Sequence, residues 1–198
     1  MIDLGKQMKA QRRAVTAPPV EGLGARADRE GLVDVAYATV ESPIGDLLVA
    51  TTDKGLVRIS FHSEAEDLVL EELARRISPR VLRTPRKVAP VARELDQYFA
   101  GRRKRFDVPL DWSLVGPYAR RVLRATARIP FGKVSTYREV AAQAGNPAAS
   151  RAAGNALGSN PIPVVVPCHR VLRTGGGLGG YGGGVETKEL LLRLEGAI

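Results

Sequence analysis

Cys168, His169 and Arg170 stand side by side in a chain of 198 residues, and Cys168 is its only cysteine. A thiol reacts as its thiolate, and imidazole or guanidinium neighbours lower its pKa from about 8.5. The trio could therefore supply a nucleophile with a base and a positive charge at hand. A lone cysteine is also at home as a small hydrophobe in a core, and cysteine next to histidine decides only weakly between the two readings. Just upstream, Val164, Val165 and Val166 read as a short buried strand. Pro167 would end it, because proline lacks a ladder donor and fixes φ. The spacing predicts a thiol placed where a core strand breaks off.

A second cluster, Gly177-Leu-Gly179-Gly-Tyr-Gly182, satisfies G-x-G-x-x-G, and a helix from Glu186 follows. A dinucleotide fold would need further strands and an acidic residue about twenty positions on. The sequence as far as Ile198 carries neither, so that reading is set aside. Glycines also let backbone come close to a ligand, with Tyr181 as a lid or stacking group. Metal chemistry finds no footing: Cys168, His62 and His169 are too few for a four-ligand Cys/His zinc site. Neither a metal nor a cofactor is expected.

Charge divides the chain. Residues 1–31 carry net +2, residues 32–112 net 0 and residues 113–198 net +7. A basic C-terminal part beside a neutral one points to a polyanionic partner. No apolar run nears the length that spans a bilayer, the N-terminus lacks the apolar block of a signal peptide, and one cysteine cannot form an internal disulfide. Arginine outnumbers lysine 23 to 7, which suggests GC-rich coding. A cytoplasmic bacterial protein, held near the nucleoid by DNA, is the expectation.

The positioning elements follow from pattern. Residues 1–31 read as a flexible basic tail, with a helix possible over Ile2 to Val15. Val33 to Val40 and Leu56 to Phe61 alternate and Asp46 to Thr52 is apolar; separated by Ser42-Pro-Ile-Gly45 and Asp53-Lys-Gly55, these stretches predict an antiparallel meander. Glu64 to Ile77 reads as a helix with Leu70, Leu73 and Ile77 on one face, and a second helix is placed from near Pro90, with Phe106 to Leu110 as a further strand. The basic run Arg102 to Arg105 is assigned to a solvated loop. Beyond Trp112 the pattern turns helical. Pro117 opens a helix bearing Val122 and Leu123, Ser135 caps Tyr137 to Ala144, and Ala148 to Gly158 completes a helix-turn-helix. That last helix is almost bald, with Arg151 its one long charged side chain, and Gly154 suggests close approach to another surface such as a DNA groove.

Taken in order, Pro130-Phe-Gly-Lys-Val-Ser-Thr-Tyr137, Ala144-Gly-Asn-Pro147, Ala149-Ser-Arg151, Asn160-Pro161, Pro167-Cys-His-Arg-Val171, Gly180-Tyr-Gly-Gly183 and Leu194-Glu-Gly196 resemble the O6-alkylguanine–DNA alkyltransferases. The resemblance is strongest over 113–196 and looser from 33; the tail lies outside it. It implies an α+β protein with three parts. These are the tail, a ribonuclease-H-like antiparallel sheet with helices over 32–112, and a mainly helical DNA-binding and alkyl-transfer domain over 113–198. The implied activity is that of a suicide methyltransferase for DNA repair. It would flip O6-alkylguanine, chiefly O6-methylguanine with O4-methylthymine as a second substrate, out of double-stranded DNA. The alkyl group would pass irreversibly to Cys168. A monomer, able to assemble cooperatively on DNA and needing no membrane, is implied too.

The resemblance also assigns roles. Cys168 is the acceptor. His169, oriented by Glu195, draws off the thiol proton through water, because adjacent side chains on an extended strand diverge. Tyr137 donates to guanine N3, and Asn160 braces the turn before the active site. Ser135, Thr136, Ala152, Ala153 and Gly154 meet DNA, with Arg151 filling the gap left in the stack. Val171, Tyr181, Gly182, Gly183 and Leu157 form the base pocket. Relatives often carry serine at 182; glycine here keeps a backbone donor and loses a hydroxyl. Two other classes stay open on the residues alone, a DNA-binding regulator with a structural Cys168 and a cysteine hydrolase.

Overall fold

The computed structural model describes Arg26, Ala27 and residues 29–198. The helix expected over Ile2 to Val15 lies outside the described residues. At the end of the expected tail, Ala27 is buried with Val33 and Ala36.

The three stretches form the expected meander: β1 (Val35–Val40), β2 (Leu47–Thr52) and β3 (Gly55–Phe61), paired antiparallel. Alternation divides β2 between two helices. Leu47 and Val49 join the cluster of α2 (Pro85–Phe99), whereas Leu48 and Ala50 join that of α1 (Glu66–Arg76). A fourth strand, β4 (Val81–Arg83), pairs parallel to β1 and gives the order β3-β2-β1-β4, so the sheet is mixed rather than wholly antiparallel. Phe106 to Leu110 is not a strand. Leu110 makes only an isolated bridge to Leu56.

Helix α2 also begins earlier than expected, at Pro85, with Pro90 inside it. An internal proline removes one helical hydrogen bond. The helix nonetheless continues, because Val88, Val91, Leu95 and Tyr98 bury one stripe at spacings of three and four.

The C-terminal half comprises α3 (Pro117–Thr126), β5 (Ser135–Thr136), α4 (Tyr137–Gln143), α5 (Ser150–Gly158), β6 (Val171–Leu172) and α6 (Val185–Leu194), with β5 and β6 paired parallel. Pro117 opens α3 as expected. The cap of α4 is Thr136, not Ser135. Its hydroxyl accepts from the Glu139 N–H at 3.2 Å while Glu139 accepts from the Thr136 N–H at 2.7 Å, a reciprocal capping box. Helices α4 and α5, joined through Gly145 at φ 90°, make the helix-turn-helix. One core cluster runs through both halves, from Val49 and Leu95 to Val122 and Leu191. No helix of the described residues is long and apolar enough to cross a membrane.

Candidate active site

The loop carrying the thiol is not a strand. Pro161, Pro163 and Pro167 leave too few N–H groups to enter a ladder. The chain coils instead through short bonds, Val165 N to Pro163 O at 2.9 Å and Val166 N to Ile162 O at 2.9 Å. Val164 sits at φ 70°, an uncommon region for a β-branched residue. Burial of Val164 and Val166 accounts for the apolar run without a strand.

Asn160, just past α5, holds this loop. Its Oδ1 accepts from the Ile162 N–H at 3.1 Å, and its Nδ2 donates to Val166 O at 2.9 Å and to Cys168 Sγ at 3.2 Å. Cys168 opens a 3₁₀ turn, Cys168–Arg170, which runs into β6. Three residues per turn spread the three side chains in different directions. Cys168 and His169 therefore diverge because of the turn, not because of the extended strand expected.

Burial is the largest influence on Cys168 and raises its pKa. The Asn160 amide, the Lys188 charge and the backbone N–H groups of Cys168 and His169 oppose it without overturning it. The resting group is a neutral thiol, contrary to the lowering expected from its neighbours. Arg170 explains part of the difference: its guanidinium turns from the thiol to Glu195 and to Ile129 O.

Glu195 is the hub of the buried network. It accepts from His169 Nε2 at 2.9 Å, from Arg170 Nε at 2.7 Å and Nη2 at 2.8 Å, and from Tyr98 Oη at 2.6 Å. Burial alone would raise its pKa, but the bonds from His169 and Arg170 outweigh that and hold it at about 2. His169 is pushed below its usual value, chiefly by burial against the opposing pull of Glu195. A neutral imidazole whose Nε2 proton goes to the carboxylate keeps its Nδ1 lone pair free. Nδ1 is buried with no partner among the described residues, as is Tyr181 Oη, and the two rings meet edge-on at 6.3 Å.

A cleft of about 370 Å³ opens over the thiol, lined on this side by Leu157, Asn160, Pro163, Cys168, Tyr181 and Gly182. The sheet supplies its other wall, including Arg58 and Phe61. The structure thus brings Leu157, Tyr181 and Gly182 to the thiol as expected. Gly183 does another job: a Cβ there would lie 2.8 Å from the Phe61 ring, so glycine lets the loop pack on β3. Val171 has its side chain in the core behind the cleft, with its carbonyl accepting from Lys188 Nζ at 2.7 Å. Lys188 is fully buried and also donates to Leu178 O, tying the glycine-rich loop to β6. Burial lowers its pKa to about 8. Tyr137, half-buried, has its pKa raised first by burial and then by its proximity to Cys168, so its hydroxyl stays a donor. The glycine-rich loop runs against that hydroxyl at Gly179 (φ 71°), where a Cβ would come within 2.8 Å of it.

On α5, Arg151 and Ala152 are exposed and Gly154 is half-buried. Ala153 is fully buried in the core, which removes it from the expected DNA-facing set. A helix has an inner stripe, and Ala153, Ala156 and Leu157 supply it. A Cβ on Gly154 would make ordinary contact with Tyr137 at 3.7 Å, so the fold itself does not demand glycine there. Ser135 and Thr136 spend their hydroxyls on the cap of α4. Reading the residues in order missed the roles of Tyr98 and Lys188 and placed the Arg170 charge on the thiol rather than on Glu195. The one signal was their type, since a buried cation or phenol needs a partner, but the partners are distant in sequence.

Comparison with known proteins agrees with this layout. Residues 35–112 match the ribonuclease-like domain of 6-O-methylguanine DNA methyltransferase, and residues 117–197 match its DNA binding domain. A methylated-DNA–protein-cysteine methyltransferase of Mycolicibacterium paratuberculosis is 41% identical over 81% of this chain and 92% of its own. One from Methanosarcina acetivorans is 38% identical over 81% and 98%. Among solved structures, Mycobacterium tuberculosis OGT in complex with DNA superposes with a TM-score of 0.71 at 38% identity, covering 82% of this chain and 93% of that one. With both domains matched in order and relatives similar over most of their length, the chain belongs to the 6-O-methylguanine DNA methyltransferase family.

Proposed function

We propose that the protein repairs DNA by direct reversal, taking the alkyl group of O6-alkylguanine onto Cys168. The observation that carries this is the thiol at the floor of a cleft, gripped by Asn160 and backed by an imidazole that Glu195 orients. In the reaction, Sγ bonds the alkyl carbon as the carbon–O6 bond breaks. The thiol proton leaves through a water toward His169 Nδ1, a route favoured by two unpartnered buried atoms, Nδ1 and Tyr181 Oη. Guanine takes up a proton as it departs, and Tyr137 donates to its N3, easing the build-up of negative charge. The backbone of Cys168, Val171 and Gly182 reads the base. Double-stranded DNA is the partner.

Cys168 is only 8% exposed, whereas guanine O6 lies on the major-groove edge of a stacked pair. The nucleotide must be rotated out, at a cost of a few kcal/mol. Arg151 stands exposed on α5, without a hydrogen bond or ion pair among the described residues, free to enter the vacated stack. Arg151→Ala should therefore slow repair of a methylated duplex by about 10- to 100-fold, the rate equivalent of losing 1.4–2.8 kcal/mol of that extrusion energy. Attack on the free base should be unchanged. Equal losses on both substrates would place the arginine's role elsewhere.

A thioether lacks the disulfide sulfur that thiol exchange attacks, and the chain has no second cysteine to receive the group. Intact-mass measurement with excess methylated oligonucleotide should show one added methyl per chain, on the Cys168 peptide, and then a plateau. Product formation continuing beyond one equivalent would refute the mechanism.

A further inference from the structure

The basic run at Arg102 to Arg105 is the exposed loop expected, but it is anchored at one residue. Arg103 is bound within the fold, to Gln97 Oε1 at 2.9 Å, Asp107 at 2.9 Å and Glu94 at 3.4 Å. That anchoring fixes its neighbours. Lys104 and Arg105 stand exposed at the rim of a cleft of about 690 Å³ between the two halves of the chain, and Arg128 faces them from the C-terminal half. Lys104 Nζ lies 5.7 Å from the centre of the Phe131 ring. Among the described residues no carboxylate lines the cleft and none of these three cations has an acidic partner.

Three exposed cations around one cleft make a positive patch that attracts an anion. The cleft also has a telling position. Val165 and Pro167 form its wall, while Pro163 and Cys168, from the same loop, line the thiol cleft. Phe131 is four residues from Ser135 at the start of the helix-turn-helix, a span of at most about 14 Å.

We propose that Lys104, Arg105 and Arg128 form a second DNA contact that grips backbone phosphates flanking the target nucleotide. The inference rests on the reading that the protein works on duplex DNA. It adds that the sheet-bearing half, with its net charge of zero, takes part in holding the duplex. The contact reads no bases, because its donors are flexible cations over an apolar floor of Phe106, Val108 and Ile129. Its contribution is affinity and orientation.

The test is the salt dependence of duplex affinity in the full chain carrying Lys104→Ala, Arg105→Ala and Arg128→Ala together. All three side chains are exposed, so the fold should persist. Each lost phosphate contact removes about 0.9 from the slope of log K against log salt, so the slope should shrink by up to about 2.7. A control removes three exposed cations outside the cleft, Lys54, Arg75 and Arg83, and should leave the slope nearly unchanged. An unaltered slope in the cleft variant overturns the proposal, as does an equal change in the control, which would reduce the effect to net charge. Loss of self-association on DNA with an unchanged slope would assign the cleft to a second copy and also overturn it. Methyl transfer from the free base is measured in parallel. Retained transfer with an unaltered slope refutes only the second contact, while absence of transfer in the unmodified chain refutes the underlying function.

Discussion

Cys168→Ser should abolish alkyl transfer while leaving duplex affinity within about twofold of the original. Serine is close in size, and its hydroxyl can keep the bond from Asn160, so the 8%-exposed site is neither overpacked nor emptied. What disappears is the reacting atom. A hydroxyl is a far poorer nucleophile at neutral pH than a thiol whose proton can be drawn away. Deleting a nucleophile from a hydrolase costs on the order of 10⁶ in rate, and here no second thiol exists to substitute. On the proposed reading, duplex affinity comes from exposed cations such as Arg151 rather than from the thiol, so binding and chemistry should separate cleanly. Measurable transfer by the serine variant, or methyl found on another residue, would reject Cys168 as the acceptor.

Glu195→Gln should be the most destabilising single change at the site. The carboxylate answers the buried Arg170 guanidinium through two bonds and also receives His169 and Tyr98. Removing one partner of a buried pair leaves an uncompensated charge, at a cost of about 3–5 kcal/mol. For a chain of this size that lowers Tm by roughly 10 °C. Transfer should also slow, by about 10²-fold or more, since an amide no longer favours the imidazolium that forms as the thiol loses its proton.

The pH dependence identifies the cause. Despite its burial, Glu195 is held at a pKa of about 2 in the folded protein, well below the ordinary glutamate value of 4.5, by its bonds from His169 and Arg170. Its stabilising contribution is thus complete above about pH 4.5 and lost as pH falls toward 2. The stability gap between the two proteins should be constant near neutrality and close over that acid window. A gap that ignores pH would mean that packing rather than charge makes the difference.

Much of the scaffold could be read from the chain. Alternation in the outer stretches and an apolar run between them identified the meander, because β2 is buried on both faces while its neighbours show a period of two. Proline at the first turn and the Gly145 turn marked α3 and the helix pair, since these signals are local. Signals failed where local cues were too short or conflicted. Three residues of β4 cannot show a period, and its partner β1 lies some forty residues away. Pro90 looked like a helix start, yet the stripe from Val88 to Tyr98 outweighed its lost hydrogen bond. Val164 to Val166 looked like a strand because burial and strand propensity favour the same residues.

The sequence by itself singled out Cys168 as the candidate nucleophile, Asn160, His169 and Glu195 as its companions by resemblance, and a basic C-terminal half suited to a polyanion. Motif residues are close together in the chain, and their identities limit the chemistry they can do. Tertiary structure alone decided that Arg170 serves Glu195 rather than the thiol, that Ala153 faces the core, and that burial leaves Cys168 protonated at rest. It also placed Tyr98, 97 residues from Glu195, on the carboxylate that holds the His169 imidazole. Such facts depend on which side chains share a water-free space. Desolvation and pairing there are set by packing across the whole chain, and neither has a local imprint in the order of residues.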